Sequence, residues 1–87
     1  MSNKAYTLIL ADQFVKDLGK LSRQEQARVR RALIRLQEDP YRGRKVRGAV
    51  IGQYRWRVGD LRIRYDIEAQ EIQVLRVIKR EDAYRKF

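Results

Sequence analysis

Four arginines alternate with apolar residues through Tyr54-Arg55-Trp56-Arg57-Val58-Gly59-Asp60-Leu61-Arg62-Ile63-Arg64-Tyr65. Guanidinium groups are planar, permanently charged, and offer paired N–H donors that match the oxygens of a phosphate. Clustered, they hold a polyanion and stabilise the extra negative charge of a phosphoryl-transfer transition state. Removing one preorganised donor of this kind typically lowers the rate about 10²–10³-fold. They cannot serve as a general base, because their pKa lies above about 12. The chain has no His and no Cys. That excludes Ser/His and Cys/His triads, disulfides and zinc sites of the usual kind, and it removes the common base near neutral pH. An enzyme built on this chain works with Arg, Lys, Tyr and carboxylates, with no metal and no small-molecule cofactor expected.

The alternation has the side-chain period of a β-strand. Gly59-Asp60 fits a two-residue hairpin loop, with Gly59 supplying a positive φ at its first position. Val58 then faces Leu61, Arg57 faces Arg62, Trp56 faces Ile63, Arg55 faces Arg64 and Tyr54 faces Tyr65. A slip of one residue would mix apolar and basic sets, so the pattern fixes its own register. Two Arg–Arg pairs result, each destabilising by a few tenths to about 1 kcal/mol. The face is either a solvated surface made basic against edge pairing or a concave site for a polyanion.

Ahead of the hairpin, Ala5–Leu10 reads as a strand, and Asp12 is placed to cap a helix reaching about Leu21 with Phe14, Leu18 and Leu21 on one side. Ser22-Arg23-Gln24-Glu25 matches a capping box opening a second helix, whose stripe is Val29, Ala32, Leu33 and Leu36. Its arginines, Arg23, Arg28, Arg30, Arg31 and Arg35, fall mostly off that stripe, as a solvated face or as a contact for RNA or a protein. Asp39-Pro40 ends it. Residues 41–52 form a glycine-punctuated basic loop with a short strand around Lys45-Val46-Arg47. After the hairpin, Glu68-Ala69-Gln70 turns into a last strand, Glu71–Ile78. There Val74-Leu75 and Val77-Ile78 break the alternation, which suggests a central strand, with Arg76 out of pattern. The polar tail from Lys79 is expected to form a turn or short helix. The fold class is α+β, in the order β-α-α-β-β-β-β: a helical hairpin on a small, mostly antiparallel sheet.

One domain spanning 1–87 is expected from the length of 87 residues. A hydrophobic fraction of 44% is too high for a disordered basic chain. The net charge of +10 points to nucleic acid, an acidic protein or an anionic membrane surface as partner. There is no run of 18 apolar residues and no signal-peptide pattern, so a cytoplasmic protein without membrane association is expected.

The hairpin resembles the Y-R-x-R-x-G-D-[YL]-R-[IV]-x-Y element of the RelE/ParE superfamily of bacterial and archaeal toxins. Lys79-Arg80-Glu81-Asp82-Ala83-Tyr84 is similar to the H-R-R-E-V-Y ending of RelE-type members, and Lys45-Val46-Arg47-Gly48 resembles the K-L-x-G element before the hairpin. The resemblance covers nearly the whole chain. It implies a toxin of a type II toxin–antitoxin pair, partnered by a cognate antitoxin with an acidic binding segment. RelE-type members enter the ribosomal A site and cut mRNA; ParE-type members share the fold and poison DNA gyrase. Carried over by position, the catalytic set is Arg55, Arg57, Arg62, Arg80 and Tyr84, and keeping Arg80 and Tyr84 favours the RelE branch. Arg42, Arg44, Lys45, Arg47, Arg64 and Lys79 are then the residues expected to hold RNA and the 16S rRNA of the ribosome. The family has lysines where this chain has Arg55 and Arg57, and often a histidine at Lys79. The general base is therefore left open between Tyr84, a phenol whose pKa neighbouring cations would lower, and Lys79. Tyr84 could instead stack on a base or dock on the sheet edge.

Overall fold

In the computed structural model, residues 6–79 are described. The expected order holds: β1 (Thr7–Leu10), α1 (Asp12–Gly19), α2 (Arg23–Glu38), a short 3-10 helix (Pro40–Arg42), β2 (Arg44–Lys45), β3 (Tyr54–Val58), β4 (Leu61–Glu68) and β5 (Glu71–Lys79). The five strands form one sheet in the order β1-β5-β4-β3-β2. All neighbours are antiparallel except β1 and β5, which the two-helix crossover makes parallel.

The core lies between the helices and one face of the sheet. Phe14, Val29, Leu33 and Leu36 meet Leu61, Ile63, Tyr65, Ile72, Val74 and Val77 there. Burying each such side chain contributes about 1.5–3 kcal/mol. Ser22 caps α2 as the sequence predicts: its hydroxyl accepts from Glu25 N at 3.1 Å, and Ser22 N donates to the Glu25 carboxylate at 2.9 Å. At the joint between the helices, the Gln26 side chain donates to the carbonyls of Leu18 and Leu21, both at 3.1 Å. The Leu21 carbonyl, beyond the end of α1, gains a donor there, and the Leu18 carbonyl gains one beside the backbone N–H of Leu21.

The structure corrects three details. Asp12 does not cap α1; it is the first helical residue, behind an N-cap at Ala11 that makes no side-chain bond. The helix ends at Gly19, short of Leu21. The second strand sits at Arg44–Lys45, one residue earlier than expected.

The broken alternation of β5 has two causes. Arg64 pairs with Arg76 but Tyr65 pairs with Val74, so Leu75 is an extra residue in the ladder. Such a bulge resets the side-chain phase, which puts Ile72 and Val74 before it and Val77 after it into the same core. Ile78, opposite Arg62, is buried as well but lies outside that core.

Arg76 also finds its place. The β1–β5 ladder stops at Leu10 and Val74, and beyond it α1 covers the edge of β5. The Asp17 carboxylate accepts from Arg76 Nε at 2.8 Å, Arg76 Nη2 at 3.2 Å, the backbone N–H of Val77 at 3.2 Å and Gln13 Nε2 at 3.0 Å. Asp17 thus stands in for the missing strand partner, and its position is nearly closed to solvent, 8% exposed.

Burial alone would raise the Asp17 pKa, but the hydrogen bonds from Arg76, Gln13 and Val77 together hold it below its ordinary 3.8. The unfolded chain therefore binds this proton more tightly than the native one. The contribution to stability is present above pH 3.8 and is lost as pH falls through the lower native value. Asp17→Asn is expected to reduce unfolding free energy by about 1–3 kcal/mol at pH 7 and to remove this component of the acid sensitivity. Urea unfolding at neutral pH and near pH 3 checks it; an identical acid loss in parent and variant would refute it.

Candidate polyanion site

The site begins with the hairpin. Gly59 has φ +60° and no other residue of the loop has a positive φ, the pattern of a type II′ turn. All five expected pairs form: Tyr54–Tyr65, Arg55–Arg64, Trp56–Ile63, Arg57–Arg62 and Val58–Leu61.

The arginine array is wider than the hairpin. Arg44 on β2 stands opposite Arg55, Arg55 opposite Arg64, and Arg64 opposite Arg76. Four arginines therefore form one row across four strands, with Arg57 and Arg62 as a second row beside it. Two members of the long row are held by structural acceptors. Arg76 binds Asp17, and Arg64 donates to the Gly52 carbonyl from Nε at 2.9 Å and from Nη2 at 2.7 Å. Asp66, two residues on, accepts from the N–H groups of Gly52 and Gln53 at 2.9 and 2.7 Å. Arg64 and Asp66 together clamp the root of the 46–53 loop.

A cavity of about 390 Å³ opens at the other end of the rows, lined by Arg42, Gly43, Arg44, Arg55, Trp56, Arg57 and Arg62. Five arginines line it, and among the described residues no carboxylate stands in its wall. The apolar component is Trp56, which packs against the core on one side and carries the Arg42 guanidinium over its ring at 5.7 Å on the other.

Arg42 and Arg44 reach this cavity because the segment joining α2 to β2 is tied to Tyr65. The Tyr65 hydroxyl donates to Pro40 O at 2.7 Å and accepts from Gly43 N at 3.1 Å. Burial pushes its pKa up to about 12, so it stays protonated and able to donate. Gly43 is required by proximity and not by its backbone angles: a Cβ there would run into Tyr65 Oη and come within 2.9 Å of Arg55 O.

Of the residues singled out in the sequence, the cavity brings together Arg55, Arg57, Arg62, Arg42 and Arg44. Lys45 and Arg47 line a separate surface cavity with Val46, Gly48, Ala49 and Gln53. Arg64 is engaged at Gly52 and serves the loop. Lys79 lies 3.4 Å from the Glu25 carboxylate at the start of α2. Arg80 and Tyr84 fall outside the described residues. Sequence reasoning did not find Tyr65 as a tether, because its hydroxyl acts on residues more than twenty positions away. It also did not find that Arg28, Arg31 and Arg35 of α2 share a groove with Trp56 and Arg57; their i, i+3, i+7 spacing was the available signal.

Residues 8–84 match a family model described as the ParE toxin of the type II toxin–antitoxin system parDE. Among solved structures, the chain is similar to one in the RelBE2 toxin–antitoxin complex of Mycobacterium tuberculosis, at 30% identity over 88% of this chain and 100% of that one, with a TM-score of 0.80. A chain of the RelB–RelE complex of Methanococcus jannaschii gives 26% identity, 91% and 98% coverage and a TM-score of 0.75. The intact E. coli RelBE complex gives 25%, 86% and 96%, and 0.71. No curated protein matches the sequence.

Tyr65→Phe keeps the ring and removes both hydrogen bonds, leaving the buried Pro40 carbonyl and the half-buried Gly43 N–H without that partner. The expected loss is about 1–3 kcal/mol, which for a domain of this size lowers Tm by roughly 4–24 °C. Differential scanning calorimetry checks it, and a variant that melts with the parent would show that the hydroxyl does not hold the 40–43 segment.

Proposed function

This chain belongs to the ParE toxin family of type II toxin–antitoxin systems, within the RelE/ParE superfamily, and from that premise we propose that it is a ribosome-dependent endoribonuclease that cuts mRNA in the A site. The observation that carries the proposal is the five-arginine cavity on the hairpin face. Its partners are the mRNA, the 16S rRNA around it, and a cognate antitoxin that silences the toxin.

RNA brings its own nucleophile. The ribose 2′-oxygen attacks the adjacent phosphorus, the bond to the 5′-oxygen of the next nucleotide breaks, and the products are a 2′,3′-cyclic phosphate and a 5′-hydroxyl. One proton leaves the 2′-hydroxyl and one is delivered to the 5′-oxygen. Arg57 and Arg62, directly opposite one another, clamp the scissile phosphate and stabilise its added charge. Arg55 holds a neighbouring phosphate, while Arg42 and Arg44 close the cavity from β2 and the turn before it. Arg80 and Tyr84 are assigned from the family motif, to the leaving oxygen and to the 2′ proton respectively. Lys79, 3.4 Å from the Glu25 carboxylate, is the alternative base.

Arginines alone position and stabilise but do not accept a proton, so little cleavage of naked RNA is expected. The ribosome supplies the unstacked geometry, which is worth several kcal/mol. Binding to rRNA through a chain of +10 charge weakens steeply with salt.

A second reading, poisoning of DNA gyrase without nuclease activity, is favoured by the ParE description of the matching family.

Primer extension on a defined mRNA in programmed ribosomes separates the two. New 5′ ends in the A-site codon are expected with the parent protein. They should fall about 10²-fold or more with Arg57→Ala or Arg62→Ala, and be absent without ribosomes. A folded parent that leaves the mRNA intact but inhibits gyrase supercoiling would establish the second reading.

A further inference from the structure

Tyr41 is the only exposed aromatic side chain among the described residues, with 61% of it open to solvent. Its backbone is nonetheless held on both sides. Pro40 opens the 3-10 helix with its fixed φ, and the Asp39 carboxylate accepts from Tyr41 N at 3.2 Å. The Tyr65 hydroxyl bonds Pro40 O before Tyr41 and Gly43 N after it. The Tyr41 ring stands edge-on to Tyr54, with centroids 6.2 Å apart and planes at 78°. Tyr54 in turn lies nearly flat on buried Tyr65, at 5.4 Å and 19°. An edge-on contact leaves at least one face of the Tyr41 ring out of it. The aromatic stack therefore rises from the core and ends in a ring that is both fixed and accessible.

Cations flank this ring. Arg42, the next residue, lies over Trp56 and lines the arginine cavity together with Arg44. On the other side, Lys45 Nζ is 6.0 Å from the centroid of Tyr54, so the ammonium and the Tyr41 ring share one aromatic neighbour. Lys45 and Arg47 line the second cavity, of about 440 Å³, at the 46–53 loop. Tyr41 is thus joined to the first cavity through Arg42 and to the second through Tyr54 and Lys45. The acid of the turn, Asp39, directs its carboxylate to the Tyr41 amide.

We propose that Tyr41 is a stacking platform for one unpaired base of the mRNA strand whose phosphates enter the arginine cavity. The inference rests on the ribonuclease reading above, and it adds a base contact to a site described so far only by its charges. Guanidiniums fix where phosphates lie and leave the bases free to turn. A base stacked on Tyr41 fixes the nucleotide beside the cavity as well, and with it the geometry of the strand at the scissile phosphate. Base and phosphate alternate along a single strand as ring and cation alternate here. Every base has a π-face, so the contact is tolerant of sequence. A ring already held by its backbone and by Tyr54 loses little freedom on binding. An acidic peptide would engage the cations and leave the ring idle. Tyr41 is a positioning residue, distinct from the groups that touch the reacting atoms.

The test compares the full chain with Tyr41→Leu, which keeps an apolar group on Tyr54, and Tyr41→Phe, which keeps the ring; calorimetry checks that each folds. The probe is a single-stranded uridine dodecamer with 2′-O-methyl riboses, which cannot be cleaved, carrying one 2-aminopurine whose emission falls when it stacks. At low salt the parent and Tyr41→Phe are expected to quench the label and bind alike. Tyr41→Leu should lose the quench and bind about tenfold more weakly. On programmed ribosomes its kcat/KM for mRNA cleavage should fall by a similar factor, with Tyr41→Phe restoring it. No quench with the parent, the same quench with Tyr41→Leu, or equal losses with Leu and Phe would overturn the inference. Unaltered cleavage by Tyr41→Leu would overturn it and leave the ribonuclease reading standing. A parent that quenches the probe and cuts no mRNA on ribosomes would keep the platform and overturn that reading. With the label moved into the mRNA of programmed ribosomes, quenching assigns the base to the message; an unquenched label with weakened ribosome binding by Tyr41→Leu assigns it to rRNA, and the inference is wrong. It is equally wrong if Tyr41→Leu weakens the cognate antitoxin and not the RNA.

Discussion

The buried hydroxyl of Tyr65 is the constraint on which the site depends. Its ring is fully enclosed in the core and stacks on Tyr54 at 5.4 Å; Tyr54 in turn meets Tyr41 edge-on at 6.2 Å. The hydroxyl at the far end of the ring bonds both sides of the turn that carries Arg42 and leads into Arg44. One side chain therefore joins the hydrophobic core to the basic cavity. The 40–43 segment also has Pro40 buried and Tyr41 against Tyr54, but a buried hydrogen bond is directional in a way that apolar packing is not. Gly43 completes the device by leaving room for the hydroxyl.

That anchoring works against electrostatics. A row of four arginines and a second row of two, on adjacent strands of a small sheet, repel one another in the free protein. The structure offsets the repulsion at the end away from the cavity. Arg76 meets Asp17, and Arg64 is spread across the Gly52 carbonyl while Asp66 holds the neighbouring amides. At the cavity end no carboxylate of the described residues enters the wall. The described acidic partners are thus gathered at one end of the rows, where Asp17 and Asp66 sit.

How much of this could be read from the sequence depended on the range of the cause. The hairpin register was legible because its evidence is local: a strict period of two, a Gly-Asp turn and a penalty for any slip. The capping box at Ser22 and the buried stripe of α2 were legible for the same reason. Asp12 misled because a capping residue and a first-turn acid occupy adjacent positions with similar preferences. The bulge at Leu75 appeared only as a fault in the alternation, since its partner strand decides where the extra residue sits. The Asp17–Arg76 pair joins positions 59 residues apart and leaves no local signature. Arg64 shows the limit of pattern reading: its place in the alternation is the same as that of Arg55, and only the returning 46–53 loop makes it structural. Arg80 and Tyr84, read from the family motif, lie outside the described residues.

If the proposed function holds, one basic surface serves both a substrate and an inhibitor. Charge alone does not discriminate between them, because any polyanion relieves the repulsion stored in the arginine rows. Discrimination requires a second property that sits beside the charge. For RNA it is the planar fork of a guanidinium, matched to a phosphate, and a nucleotide held in reactive geometry. For a peptide it is an unpaired strand edge over an apolar floor. Trp56 and Arg57 stand where the two meet: the Arg57 side chain belongs to the cavity, while its backbone belongs to the edge.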